Sequence, residues 1–395
     1  MSKYSLIGTL TGAAFLMATS AIGPGFLTQT SVFTEQLKSA FAFAIFISII
    51  IDIIVQLNIW LILSVSKMRA QDVANKALPY SGYFIATLIV IGGLVFNIGN
   101  IGGAAMGINV ISGINLTYGA ILSSLIAIII FLQKEMGRAM DHFTRILGLA
   151  MIFLVLLVLF KTKPPVVLAA KEMIMPSQID LLIILTLVGG TVGGYISFAG
   201  AHRIIDAGIT GIDNVKHIRR GAINAVIITG VMRCLLFLAI LGVVYMGHKL
   251  DSANPPASAF RLGAGEMGYR MFGVILWCAG ITSAVGASYT SVSFIRTFSK
   301  FLDKNNKYII ILFIIISTLI FITIGKPVKL LIFAGSLNAL VLPIALFAIL
   351  LGAYKKKIVG NYNHPKWLAV LGYLVAFSTL LMGIKVFSRI FTILS

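Results

Sequence analysis

Two short stretches of helix-breaking residues stand inside apolar sequence, and they carry most of the chemistry available to this chain. The first is Ser20-Ala21-Ile22-Gly23-Pro24-Gly25-Phe26 and the second is Gly189-Gly190-Thr191-Val192-Gly193-Gly194-Tyr195. Proline removes a backbone donor and clashes with the preceding turn, while glycine tolerates unwound geometry. Where a helix restarts after such a break, near Gly25 and Gly194, free N–H groups and the positive end of the dipole favour an anion such as a carboxylate. Arg233, within the apolar run 226–245, suits bidentate carboxylate recognition. Its alternative role is structural, as the partner of Asp52, the acid of another apolar run. Tyr195, Ser197, Thr28, Gln29, Thr30 and Asn97 offer neutral hydrogen bonds, either to a solute or to neighbouring helices. Ser283, Ser288, Thr290, Ser291 and Ser293 fit either a small-cation site or close packing, and His202, beside Arg203 and Asp206, reads as a surface or gate residue.

Reaction chemistry is not assembled in the same way. His142 near Asp141 and His217 near Asp213 are isolated neighbours, and the sequence holds no phosphate-cradling loop, metal-ligand pair or nucleophile elbow. Cys234 and Cys278 lie inside apolar runs, which excludes a disulfide framework and a Cys-based metal motif. The chain is therefore expected not to be an enzyme and to need no cofactor.

The elements that position these residues follow from composition. Of 395 residues, 59% are hydrophobic and 11% charged, with a mean hydropathy of +1.02. A soluble domain of this length needs more polar surface than that, whereas lipid solvates an apolar exterior. Runs long enough for the ~30 Å hydrocarbon layer lie near 6–34, 41–66, 82–112, 118–133, 143–161, 180–203, 222–247, 268–298, 307–325, 328–353 and 366–388. The expected architecture is an all-α polytopic membrane protein with about eleven transmembrane helices. The net charge of +19 falls mostly in the connections, which points to the positive-inside bias rather than to nucleic acid. Connection Lys and Arg divide nineteen to eleven in favour of the N-terminal side, predicting a cytoplasmic N-terminus and an outside C-terminus in the cell membrane. The start, Lys3 and an apolar stretch ending at Ala18-Thr19-Ser20-Ala21, imitates a cleavable signal but reads as a retained first helix.

The two breaks fall in the first and sixth spans, the corresponding positions of two five-helix sets. That pattern predicts a five-plus-five inverted repeat with the solute site between broken helices 1 and 6. The repeats would cover 1–161 and 162–353, with an additional C-terminal helix in 354–395.

Several motifs sharpen the picture: Gly23-Pro24-Gly25-Phe26, Gln71-Asp72-Val73-Ala74, Gly103-Ala104-Ala105-Met106-Gly107-Ile108-Asn109, Leu342-Pro343, and Lys357-Ile358-Val359-Gly360-Asn361-Tyr362-Asn363-His364-Pro365-Lys366-Trp367. Together they resemble the NRAMP family of divalent-metal transporters, in the wider amino-acid/polyamine/organocation superfamily with its LeuT-like fold. The resemblance implies a secondary transporter with a changed site. The family's Asp-Pro-Gly-Asn and helix-six Met supply its metal ligands, and the matching positions here are Gly23, Phe26 and Gly193. The family's following Pro-His becomes Gly194-Tyr195, and its acidic pair on helix three becomes Asn97 and Asn100. Asparagine keeps the shape of the acid but cannot carry its proton. The stretch 82–115 contains no Asp or Glu at all.

With the anionic ligands gone, the expected solute is a small carboxylate, an amino acid or a cyclic relative such as 5-oxoproline, coupled to H⁺ or Na⁺. The second reading is a divalent cation (Mg²⁺, Mn²⁺ or Fe²⁺) held by backbone and neutral ligands, with hard, partly hydrated Mg²⁺ preferred. The absence of charged rings or a filter argues against a channel. Partners are then the solute or ion and the lipid bilayer.

Overall fold

Sequence this apolar can lie in lipid only if each backbone N–H and C=O is bonded within its own segment, so these runs must be helical. A computed structural model describes residues 12–13, 17–18, 20–132 and 136–393, which form helices and turns with no strand among them. Residues 20–21 are helical ahead of a break at Ile22–Gly23. The helices that follow are α1 (Pro24–Leu37), α2 (Phe41–Ser66), α3 (Ala70–Ala77), α4 (Ser81–Ser112), α5 (Leu116–Leu132) and α6 (Met136–Thr162). Then come α7 (Val166–Ile174), α8 (Leu181–Thr191), α9 (Ile196–Asp206), α10 (Val215–Tyr245) and α11 (Pro255–Ser293). The chain continues through α12 (Lys300–Lys304), α13 (Asn306–Ile324), α14 (Pro327–Gly352), α15 (Lys356–Val359) and α16 (Lys366–Phe391).

Local chemistry sets the ends. Pro24, Pro255 and Pro327 each stand in the first turn of a helix, where the missing N–H leaves no bond unmade. Asp180 caps α8 by accepting from the amides of Leu182 at 2.8 Å and Ile183 at 3.2 Å. Gly265, at φ +73°, kinks α11. The sequence reading began this span at 268, where the apolar run starts after Arg261 and Glu266, and the helix extends it back to Pro255.

Among the described residues, eight helical segments are long and apolar enough to cross a membrane, and nine if the pair Gly148–Thr162 and Val166–Ile174, bent by 107°, counts as one. The expected eleven is not reached on this criterion. Pro24–Ser66 counts as a single segment, because α1 runs into α2 through one turn of 3₁₀ helix, and Leu116–Leu132 is a shorter apolar helix. Part of the first run, including Lys3 and Thr19, lies outside the described residues.

α4 is the central post and packs against α11, α14, α13, α5 and α3. Small residues let it do so. A Cβ placed on Gly107 would lie 2.3 Å from the Trp277 backbone nitrogen, and one on Gly280 would lie 2.6 Å from that of Ala104. Backbones this close gain dispersion contacts that lipid tails cannot match, which is how apolar helices associate without a hydrophobic driving force.

Candidate functional site

The second glycine cluster does unwind. α8 stops at Thr191, and the amides of Val192 and Gly193 both turn back to the Val188 carbonyl, at 2.7 and 2.9 Å. Gly194 takes φ +59°, Ile196 N–H reaches the Gly193 carbonyl at 3.3 Å, and α9 begins. The Ser197 hydroxyl donates to the Val192 carbonyl and so satisfies an acceptor that the break exposes. Among the described residues, the amides of Gly194 and Tyr195 find no backbone acceptor. Glycine is required at 194 twice over: the conformation is left-handed, and a Cβ there would lie 1.8 Å from Asn338 Oδ1. Asn338 is held in that position because its Nδ2 donates to the carbonyls of Gly92 and Ala334, each at 2.9 Å.

The first break is built on extended backbone at Gly23, with φ −80° and ψ −177°, followed by Pro24. Its ladder opens with Leu27 N–H on the Gly23 carbonyl at 3.2 Å, so the Gly25 and Phe26 amides stand outside it. Pro24 sits on Gly103 of α4, where a Cβ would lie 2.2 Å from Pro24 Cβ. A Cβ on Gly25 would lie 3.2 Å from the Phe96 ring, and Phe96 in turn meets Tyr195 edge-on with ring centroids 5.5 Å apart. One aromatic side chain of α4 therefore touches both restart points.

One turn along α4 from Phe96 is Asn100. It is buried, and both its amide oxygen and its amide nitrogen lack a hydrogen-bond partner. The Tyr195 hydroxyl approaches it, and neither group reaches hydrogen-bond geometry. Thr28 Oγ1 is likewise buried without a partner. Unpaired buried polar atoms are costly in apolar surroundings, and those of Asn100 and Tyr195 lie beside the helix restarts, which makes this the candidate site. The structure thus brings together Pro24, Gly25, Phe96, Asn100, Gly194 and Tyr195.

Other expected residues are employed elsewhere. Gln29 is a helix clamp: its Nε2 donates to the Leu331 carbonyl at 3.1 Å, and its amide fills the notch between Gly190 and Gly335. Asn97 faces away from Phe96, donating to Ser288 Oγ at 3.1 Å and Ser317 Oγ at 2.9 Å in the seam of α4, α11 and α13. Arg233 is committed to Asp52, with Nη2 to Oδ2 at 2.7 Å and both side chains fully buried. That geometry is the structural alternative, and Arg233 does not serve as a free carboxylate clamp because its charge is already countered. Gly193 packs against the Asn338 carbonyl, Gly23 against the Ser283 hydroxyl, and Phe26 is buried in the core. Ser288 and Ser293 bond to backbone carbonyls of their own helix, at 2.8 and 2.6 Å, which is packing behaviour.

His202 is buried, not on the surface. Its Nε2 accepts from Ala70 N–H at 3.2 Å, so the ring proton is on Nδ1, 2.7 Å from Ser293 Oγ. Beside it Arg69 pairs with Asp206, which also accepts from the Tyr289 hydroxyl, and Gln71 Nε2 reaches the Ser293 carbonyl and Thr297 Oγ1 at 3.2 and 2.9 Å. These bonds tie α3, α9 and the end of α11 into one bonded plug of side chains. Burial raises the carboxyl of Asp72, at the start of α3, against the opposing pull of Thr297 and Arg69.

Sequence reasoning missed Phe96 and Asn338. Asn338 carried a signal, as a lone amide in the apolar run 328–353; Phe96 carried none.

Known proteins agree with this architecture. The uncharacterized membrane protein YcsG of Bacillus subtilis is 56% identical over 375 residues, covering 95% of this chain and 93% of its own. A manganese transporter of Eremococcus coleocola has the same fold, with TM-score 0.75 at 16% identity over 99% of this chain and 88% of that one. MhsT in complex with L-phenylalanine matches at TM-score 0.66 and 16% identity over 98% of both chains. Residues 14–388 match the model of the natural resistance-associated macrophage protein-like proteins, and the chain belongs to this Nramp family of multi-pass membrane transporters.

Proposed function

We propose that this transporter moves a small carboxylate, an amino acid or a 5-oxoproline-like ring, between the two breaks by H⁺ or Na⁺ coupling. The observation that carries the reading is Asn100, buried with its whole amide unpartnered, facing the Tyr195 hydroxyl beside the restarts at Gly25 and Gly194. The amides at those restarts suit the carboxylate, and the carboxamide and phenol suit the polar remainder of such a molecule. None of these groups carries a negative charge to attract a metal. MhsT, of similar fold, is known with L-phenylalanine bound, so the architecture accommodates an amino acid.

The divalent-cation reading is favoured by the likeness to a manganese transporter. It is weaker here, because the Val192 carbonyl freed by the break already accepts from Ser197 and hard cations need several oxygen ligands. The membrane is taken as the cell membrane with a cytoplasmic N-terminus, and the two repeats as 1–161 and 162–353 followed by the C-terminal helix of 354–395.

Ligand-dependent thermal stability of the purified protein tests the reading. A carboxylate at about a hundred times its Kd should stabilise the fold by about 2.7 kcal/mol, and Asn100→Leu should lose that increment while still melting cooperatively. Stabilisation by Mn²⁺ or Mg²⁺ alone, with no carboxylate active, would replace this reading with the cation one.

A further inference from the structure

One intramembrane charge pair has no part in the site just described. Asp52 stands mid-way along α2 and Arg233 mid-way along α10, and both side chains are fully buried. Their union is incomplete. Arg233 bonds Oδ2 through Nη2 and reaches Ser48 Oγ at 3.3 Å through Nη1, but its Nε has no partner. Asp52 Oδ1 faces Gln56 Nε2 outside hydrogen-bond geometry, and the Gln56 oxygen is occupied by Trp60 Nε1 at 2.8 Å. A buried ion pair with unfilled bonds is a weak device for stability, and apolar replacements of such pairs are often neutral or better. Its presence in apolar helices asks for a function.

The surroundings isolate Asp52 as a proton acceptor. Among groups on the helices packed against α2, Arg233 is the charge that acts on it. On α9, His202 is bound to Ser293 and Asp206 to Arg69; on α7, Glu172 accepts from Ser177 N–H at 2.6 Å beside Lys171. α8 has no titratable side chain, and α1 carries Glu35, which accepts from Leu250 N–H at 2.8 Å. α3 carries Asp72 and Lys76, α14 Lys329, α15 Lys356 and Lys357, and α16 Lys366, Tyr373, Lys385 and Arg389, the last paired with Asp180. Cys234 adjoins Arg233 on α10. One turn beyond Arg233, Phe237 meets Phe41 of α2 edge-on at 5.8 Å, and Phe41 meets Phe33 of α1 at 5.9 Å. Arg233 thus stands one turn from the point where α1, which carries the first break, converges with α2 and α10, and Asp52 stands about three turns along α2 from Phe41.

We propose that Asp52 is the coupling-proton site of this transporter, with Arg233 as its fixed counter-ion. The proposal rests on the secondary-transport reading and chooses H⁺ over Na⁺. In the step, a proton from water on one side binds the free Oδ1 of the carboxylate. The only bond formed is O–H, and the salt bridge through Oδ2 becomes a weaker neutral-acid contact while the guanidinium keeps its charge. Release of the same proton to the other side restores the ion pair. Asn97 and Asn100 of α4 cannot do this, since their side chains are amides.

Infrared difference spectra of the purified full chain, between acid and neutral pH, read this protonation without any solute. The eleven other Asp and Glu side chains also protonate in acid, so the reading is the difference between variants. One protonated-carboxyl component of the unaltered protein is expected to be missing from Asp52→Asn, and spectra that coincide for the two proteins overturn the proposal. The double change Asp52→Leu with Arg233→Met leaves no unpaired buried charge and should fold. In proteoliposomes with labelled 5-oxoproline and amino acids, a gradient of one pH unit supports about tenfold accumulation at one proton per solute. The double variant should reduce that ratio to about onefold, whatever rate remains, and a ratio that stays near tenfold overturns the proposal as well. If the unaltered protein carries no carboxylate, the proposed solute fails while the infrared signal still decides Asp52.

Discussion

Gly194→Ala isolates how the second break is held. Two penalties act together there. The residue sits at φ +59°, which costs a side-chain-bearing residue about 1–2 kcal/mol. The new Cβ would also fall 1.8 Å from Asn338 Oδ1, and because Asn338 is anchored through Nδ2 to Gly92 and Ala334, it can retreat only by giving up those bonds. Losing two hydrogen bonds adds about 2 kcal/mol, for a total of about 3–4 kcal/mol. Gly208 is the control: it has φ +73° with nothing within 4 Å of a Cβ, so Gly208→Ala should cost the conformational part alone. Asn338→Ala by itself loses the same two bonds, about 2 kcal/mol. Added to Gly194→Ala, it should cost almost nothing more, because the clash has already consumed those bonds. Reversible unfolding in mixed micelles for the two singles and the double gives the cycle, with an expected coupling of about 2 kcal/mol. Equal costs at Gly194 and Gly208, or strict additivity with Asn338→Ala, would refute the reasoning.

Two further outcomes follow from groups outside the spans and at the plug. His364, in the connection before α16, puts Nε2 2.9 Å from Asn58 Oδ1, and burial pushes it from 6.5 down to about 4. The unfolded chain therefore takes up a proton that the folded chain refuses, so stability should fall as pH drops from about 6.5 to about 4 and level off below. The loss approaches 3 kcal/mol, to order of magnitude, and His364→Gln should flatten this part of a pH-stability curve; an unchanged slope counts against the buried neutral ring. Asp206→Asn removes the charge that both Arg69 and Tyr289 engage. Hydrogen exchange in Ala70–Ala77 and Ile196–Asp206 should then quicken by about tenfold or more, whereas unaltered protection would mean that the plug does not depend on this carboxylate.

What could be read from the residues differs from what could not in the range over which each is determined. The breaks were legible because Pro24 and the glycines at 193–194 act through their own backbone, and the chain does unwind at Ile22–Gly23 and at 192–195. Asp52 with Arg233 was legible as an alternative because each charge stands in an apolar run and needs a counter-charge, even one 181 residues away. The amides were not. Gln29, Asn97 and Asn100 look equivalent in sequence, yet one clamps α1 to α14, one bonds the α11–α13 seam, and one is left open beside Tyr195. An amide in a membrane helix will bond whatever backbone or hydroxyl passes opposite, and that neighbour is chosen by packing. Asn338 and the Gly92 carbonyl it holds are 246 residues apart. A lone amide in apolar sequence thus signals a helix contact or a solute contact equally. Of these three amides, Gln29 and Asn97 keep an oxygen alone, and Asn100 keeps both its donor and its acceptor unspent after the helices have packed, the fuller bonding capacity for a molecule that is not part of the chain.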